Sequence, residues 1–158
     1  MEKNRLLDAS RKTLSVLLFA FLLSSCSLPR IAVLHDPLTP EEHVNLGVSY
    51  ERKGELDAAL AQYEAASKKV PIAYLYMGNV YFKKNDTSHA ERSYRKAIEK
   101  TGDARAYNNL AWLYYTRDEQ LDEAERLSME AVRLSPDARE FKDTLDRIAE
   151  KRSSMERR

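Results

Sequence analysis

What this sequence has little of narrows it first. A single cysteine among 158 residues excludes an internal disulfide, so nothing covalent staples the fold. Four glycines and five prolines, beside 43% hydrophobic and 32% charged residues, are the composition of a soluble helical protein. There is no surplus of either charge: 26 basic side chains face 25 acidic ones, which removes the electrostatic ground for expecting nucleic acid. The longest apolar run, residues 13–23, falls short of the ~20 residues that a membrane-spanning helix needs. Catalytic groupings are equally thin. The three histidines, His35, His43 and His89, lack metal-ligand spacing, and no Gly-rich phosphate loop or Ser nucleophile in a recognisable turn is present. An enzyme reading has no residue to rest on, and neither a metal nor a cofactor is expected.

What is there is one pattern written three times between His43 and Pro136. Leu46-Gly47 and Tyr50 are followed by Ala59, Tyr63, Ala66 and Pro71. Met77-Gly78 and Tyr81 are followed by Ala90, Tyr94, Ala97 and Gly102. Leu110-Ala111 and Tyr114 are followed by Ala124, Ser128, Ala131 and Pro136. The period is 31 residues from Ala59 to Ala90 and 34 from Ala90 to Ala124. Bulky, small and aromatic residues three or four apart share one helical face. The small residue (Gly47, Gly78, Ala111) admits a second helix, which answers with alanines seven apart and a large knob, Tyr63 or Tyr94, between them. Ser128 departs from this, and a shallower contact is expected there. Lys53-Gly54-Glu55, Asn85-Asp86-Thr87 and Arg117-Asp118-Glu119 mark the turns between paired helices.

These residues resemble the tetratricopeptide repeat family over residues 40–151. The resemblance implies an all-α fold: a right-handed α-solenoid of three helix–turn–helix repeats (about 40–70, 71–103 and 104–136) plus a C-terminal capping helix. Three stacked copies are about the minimum that buries a continuous core. The cap is read over 137–151, where Phe141, Leu145 and Ile148 share a face opposite Lys142, Asp143, Asp146, Arg147, Glu150 and Lys151. The basic end, residues 152–158, has no periodicity and is expected to be a disordered tail. At the other end Thr39-Pro40-Glu41-Glu42 reads as a helix start, with Thr39 as N-cap and acidic residues in the first turn.

Residues 1–25 read as a signal peptide: a charged beginning to Lys12, then the apolar core Thr13 to Leu23. Leu23-Ser24-Ser25-Cys26 resembles the lipobox of bacterial lipoproteins. That resemblance implies a covalent lipid on Cys26, cleavage ahead of it, and anchoring to the cell envelope. Ser27 rather than Asp after it favours the outer membrane, facing the periplasm. Residues 26–39 form a tether in which Pro29 and Pro37 favour extended chain, spanning up to about 40 Å. Alternatively, Ile31-Ala-Val-Leu34 docks back on the solenoid, and sequence leaves the two outcomes open.

In the family the first helices of successive repeats line a concave groove. Carried over position by position, its lining is Glu41, Val44, Val48 and Glu51, then Ile72, Leu75, Asn79 and Phe82, then Arg105, Asn108, Trp112 and Tyr115. Leu75, Phe82, Trp112 and Tyr115 are apolar and aromatic anchors, while Asn79 and Asn108 can hydrogen-bond a peptide backbone. Val44 and Val48 stand where some relatives place the Lys and Asn that clamp a terminal carboxylate. The expectation is a membrane-anchored scaffold or assembly factor that takes a peptide or helix of a protein partner in this groove. The alternative is an accessory or regulatory subunit of a cell-envelope peptidase, secretion, pilus or exopolysaccharide machine. The run Leu34 to Gly47 is similar to the opening of repeat domains attached to bacteriocin-processing peptidases, which implies a partner of that kind. A homo-oligomeric lipoprotein, with a second copy filling the groove, is the third reading.

Overall fold

Three copies of one turn set the architecture. After each first helix the chain enters the left-handed region at the same repeat position, at Gly54 (φ 79°), Asn85 (φ 59°) and Asp118 (φ 56°). In each case the next amide donates back to the carbonyl of the repeat's tyrosine: Glu55 to Tyr50 at 3.0 Å, Asp86 to Tyr81 at 2.9 Å, Glu119 to Tyr114 at 3.1 Å. The turn residues themselves donate to Glu51, Phe82 and Tyr115. That pair of bonds is the Schellman closure, which satisfies helix-end carbonyls and sends the chain back antiparallel. Glycine takes the positive φ without cost; asparagine and aspartate are the side chains that tolerate it best.

The computed structural model describes residues 36–157, which contain seven helices and no strand. They are α1 (Pro40–Lys53), α2 (Leu56–Ser67), α3 (Ala73–Lys83), α4 (Thr87–Thr101), α5 (Ala104–Thr116), α6 (Leu121–Leu134) and α7 (Arg139–Glu156). The expected signal peptide, Cys26, His35 and the tether as far as residue 35 lie outside the described residues. Helix α1 begins as its sequence dictates: Glu42 N–H donates to Thr39 Oγ1 at 3.2 Å and Thr39 N–H to Glu42 Oε2 at 2.7 Å, a capping box with Pro40 at the first position. Asp86 and Asp103 cap α4 and α5, accepting from the amides of His89 and Arg105. No described helix is long and apolar enough to cross a membrane.

Pairs α1–α2, α3–α4 and α5–α6 form antiparallel hairpins, stacked through α2 on α3, α4 on α5 and α6 on α7. The six second-helix alanines, Ala59, Ala66, Ala90, Ala97, Ala124 and Ala131, are fully buried. Tyr63 and Tyr94 lie against Gly47 and Gly78 so closely that a methyl added to either glycine would sit 2.5 or 2.4 Å from a ring carbon. The shallower contact expected at Ser128 does not form. Ser128 is fully buried, its hydroxyl donates to Glu125 O at 2.9 Å, and the glycine of the earlier repeats is Ala111 here. The two changes match, with a small residue given up on α5 and a large one on α6.

Val80 and Leu113 are also fully buried, facing the preceding hairpin, while their counterpart Ser49 on α1, the first described helix, is exposed. At the other end α7 covers α6 with Phe141, Thr144 and Ile148, and Leu145 is only half-buried. The cap is longer than its periodicity implied. Residues 152–156 are helical rather than a disordered tail, because Arg152 reaches Glu125 and Asp122 on α6, and Ser153 and Ser154 bond the carbonyls of Glu150 and Lys151.

Candidate functional site

The first helices α1, α3 and α5 lie side by side, and their shared face carries two adjoining hollows. One has a volume of about 240 Å³ and is lined by Glu51, Asn79, Phe82, Lys83, Tyr94, Asn109 and Trp112. The other, about 230 Å³, is lined by Val48, Glu51, Arg52, Tyr76, Asn79 and Lys83. Glu51, Asn79 and Lys83 border both, so they form the ridge between them.

The ridge is held by bonds that reach beneath the face. Tyr63 Oη donates to Glu51 Oε2 at 2.8 Å, and Lys83 Nζ donates to Oε1 at 2.7 Å, joining α1 to α3. Glu51 is only 15% exposed, so its charge keeps both partners in place rather than trading them for water. Asn79 Oδ1 accepts from Tyr94 Oη at 3.1 Å and from Asn109 Nδ2 at 2.9 Å, joining α3 to α4 and α5. Burial and, for Tyr63, the hydrogen bond to Glu51 raise both phenols above their ordinary range, so Tyr63 and Tyr94 stay protonated donors. Beyond the ridge Trp112 stacks on Tyr115 with centroids 5.0 Å apart. Lys151 of α7 sits 4.4 Å over the other ring's centroid while donating to Tyr115 O at 2.9 Å.

The sequence-predicted lining is sorted by this geometry. Val48, Glu51, Asn79, Phe82 and Trp112 meet around the hollows. Leu75 does not: it is 2% exposed, packed in the core with Leu110 and Leu113, and is corrected from groove to core. Val44 and Ile72 are half-buried against the core, and Glu41 is exposed at the start of α1. Arg105 is exposed outside the hollows, forked onto Asp103 at 3.0 and 2.6 Å. Tyr115 stands behind Trp112 rather than on the lining. Asn108 is half-buried, its Nδ2 3.5 Å from Asn109 Oδ1, and its own Oδ1 is buried with no hydrogen-bond partner among the described residues.

Sequence reasoning missed Arg52, Tyr76, Lys83, Tyr94 and Asn109. Tyr76 and Asn109 occupy one repeat position, beside the buried Leu75 and beside Asn108. Arg52 and Lys83 occupy another, at the last turn of α1 and of α3. A cation recurring at that position was the available signal. The two described histidines are not brought together: His43 is buried with Nδ1 2.8 Å from Gln62 Oε1, and His89 Nδ1 lies 2.7 Å from Asp86. Among the described residues no group of His, Cys, Asp and Glu is arranged to hold a metal.

Comparison with known proteins agrees with this fold. Models of the tetratricopeptide repeat family match residues 43–68 and 75–139, together more than half of the chain. No curated protein matches the sequence. Among solved structures, the first tetratricopeptide repeat domain of Spaghetti (RPAP3) bound to the HSP90 peptide SRMEEVD is similar. It has 18% identity and a TM-score of 0.67, over 77% of this chain and 98% of that one. The first such domain of human RPAP3, solved by NMR, is 20% identical with a TM-score of 0.67, over 75% of this chain and 95% of that one.

Proposed function

Because this chain belongs to the tetratricopeptide repeat family, we propose that it is a protein-interaction module that takes a peptide or helix of a partner on the α1–α3–α5 face. The observation that carries the reading is the pair of adjoining hollows, lined by Phe82, Trp112 and Tyr76 and by the amides of Asn79 and Asn109. Aromatic side chains anchor a partner by burial, while amides fix its backbone. The ridge residues are prearranged by Tyr63 and Tyr94, which lowers the ordering cost of binding. One solved relative of the same fold holds a peptide, which supports the choice of ligand class.

The proposal extends to anchoring. Cys26 carries lipid and holds the domain to the bacterial cell envelope, at the outer membrane facing the periplasm, as a scaffold or assembly factor. This part rests on the sequence of residues 13–26. Cys26→Ser tests it: the variant leaves the membrane fraction, whereas retention there contradicts the anchor.

The binding reading is tested by crosslinking and capture from membranes with wild type and the Phe82→Ala/Trp112→Ala double variant, shown equally helical by circular dichroism. A partner lost with the two rings supports the proposal. Partners that are the same in both samples contradict it, and recovery of this chain itself identifies the occupant as a second copy.

A further inference from the structure

The hydrogen-bonding inventory of the two hollows is lopsided. Their charged acceptor is engaged on both oxygens, Glu51 by Tyr63 and Lys83, and Asn79 Oδ1 accepts from both Tyr94 and Asn109, while Asn109 Oδ1 has only Asn108 Nδ2 at 3.5 Å. The orphan acceptor, Asn108 Oδ1, is buried and presents nothing to a ligand. Most of what remains is donors. Asn79 keeps both side-chain N–H groups, Asn109 keeps one, and Lys83, 53% exposed, keeps two. Arg52 lines the second hollow, is exposed, and makes no ion pair among the described residues.

A face so arranged needs a ligand that brings acceptors. A cationic ligand would find Glu51 occupied and would have to push Lys83 off it, placing like charges together. Backbone carbonyls answer the two amides, and a carboxylate answers Lys83 and Arg52. We infer that the occupant is a peptide segment bearing an Asp or Glu side chain close to an apolar or aromatic one. The carboxylate meets Lys83 and Arg52, and the apolar group enters the hollow between Phe82 and Trp112. The carboxylate belongs to a side chain rather than a chain end, because Lys83 stands on the ridge and a ligand filling both hollows continues past it. This inference rests on the peptide-binding reading and adds the ligand's charge and pattern.

The test is selection from a random peptide library displayed on phage, using the full chain as wild type, Arg52→Glu and Lys83→Gln. The first variant touches no ion pair among the described residues, so its preference is readable. Wild type should enrich Asp or Glu near an apolar residue. Arg52→Glu should lose that acid and enrich Lys or Arg at the same spacing, and Lys83→Gln should weaken it. The best selected sequence, synthesised with a blocked C-terminus and titrated against the fluorescence of Trp112, the sole tryptophan, should lose about tenfold in affinity on Glu→Gln. Enrichment with no acidic preference, a preference unchanged by Arg52→Glu, or binding that requires a free terminal carboxylate overturns the inference and leaves peptide binding standing. No enrichment at all overturns both.

Discussion

Single residues decide how closely the paired helices approach. Gly47 and Tyr63 fit because one has no side chain where the other's ring lies. Gly47→Ala should therefore destabilise by about 1–3 kcal/mol through overpacking. In a Tyr63→Leu background the clash is relieved and alanine should become favourable by up to about 1 kcal/mol through its helix preference. Denaturant unfolding of the four-member cycle measures the sign change. The third repeat has run a version of this experiment with Ala111 and Ser128. A second residue-scale contact ties α4 to α5. Glu91 Oε1 accepts from Tyr114 Oη at 2.8 Å and from Arg95 Nε at 3.0 Å. Burial works against ionisation of Glu91, but those two hydrogen bonds and the positive charges of Arg95 and Arg117 together outweigh it and hold its pKa below the usual value. Burial, with the bond to Glu91, pushes the Tyr114 phenol up to about 12. A depressed carboxylate contributes stability above its unfolded pKa and loses it as pH falls through the folded value. Glu91→Gln should thus cost about 1–2 kcal/mol at neutral pH. The gap in Tm from wild type should close as pH is lowered through the acid side of the carboxylate range.

At the scale of elements, the helices and their order are legible because three faint signals coincide in each repeat: a small residue, a tyrosine three later, and a polar turn. Tertiary packing then rewards the same positions that periodicity marks. The face is harder to read. Leu75 carries the family's groove position, yet α5 packs over it, so its neighbour Tyr76 reaches the surface instead. Whether a helix position faces the hollow or the next hairpin depends on how the hairpins rotate against one another, and no single helix encodes that angle. The end of α7 was illegible for a similar reason. Arg152 has no periodic signal and is recruited by Glu125 and Asp122, far away in sequence. The turns supply a prediction here. Asn85 holds φ 59° and, among the described residues, makes no side-chain hydrogen bond that would oppose its replacement. Asn85→Gly should be neutral or stabilising by a few tenths of a kcal/mol, and Asn85→Ala destabilising by about 1 kcal/mol. Thermal unfolding of the two variants checks the order.

Over the whole molecule, the hairpins add in a line, and the α1–α3–α5 face is the surface that all three build together. The ridge of Glu51, Lys83 and Asn79 crosses repeat boundaries, so the hollows exist only when the repeats are stacked. Helix α7 contributes as well, since Lys151 covers Tyr115, which backs Trp112. Elsewhere among the described residues only Leu38, Met129, Leu134 and Met155 are large exposed apolar side chains, Met129 on α6 being 56% exposed. The central claim is that partners are taken on the shared face. The direct measurement is site-specific photo-crosslinking in cells, with a photoreactive residue placed at Phe82 in one strain and at Met129 in another. The account predicts a discrete crosslinked partner from Phe82 and none from Met129. Crosslinks that arise from Met129 while Phe82 gives none would contradict it.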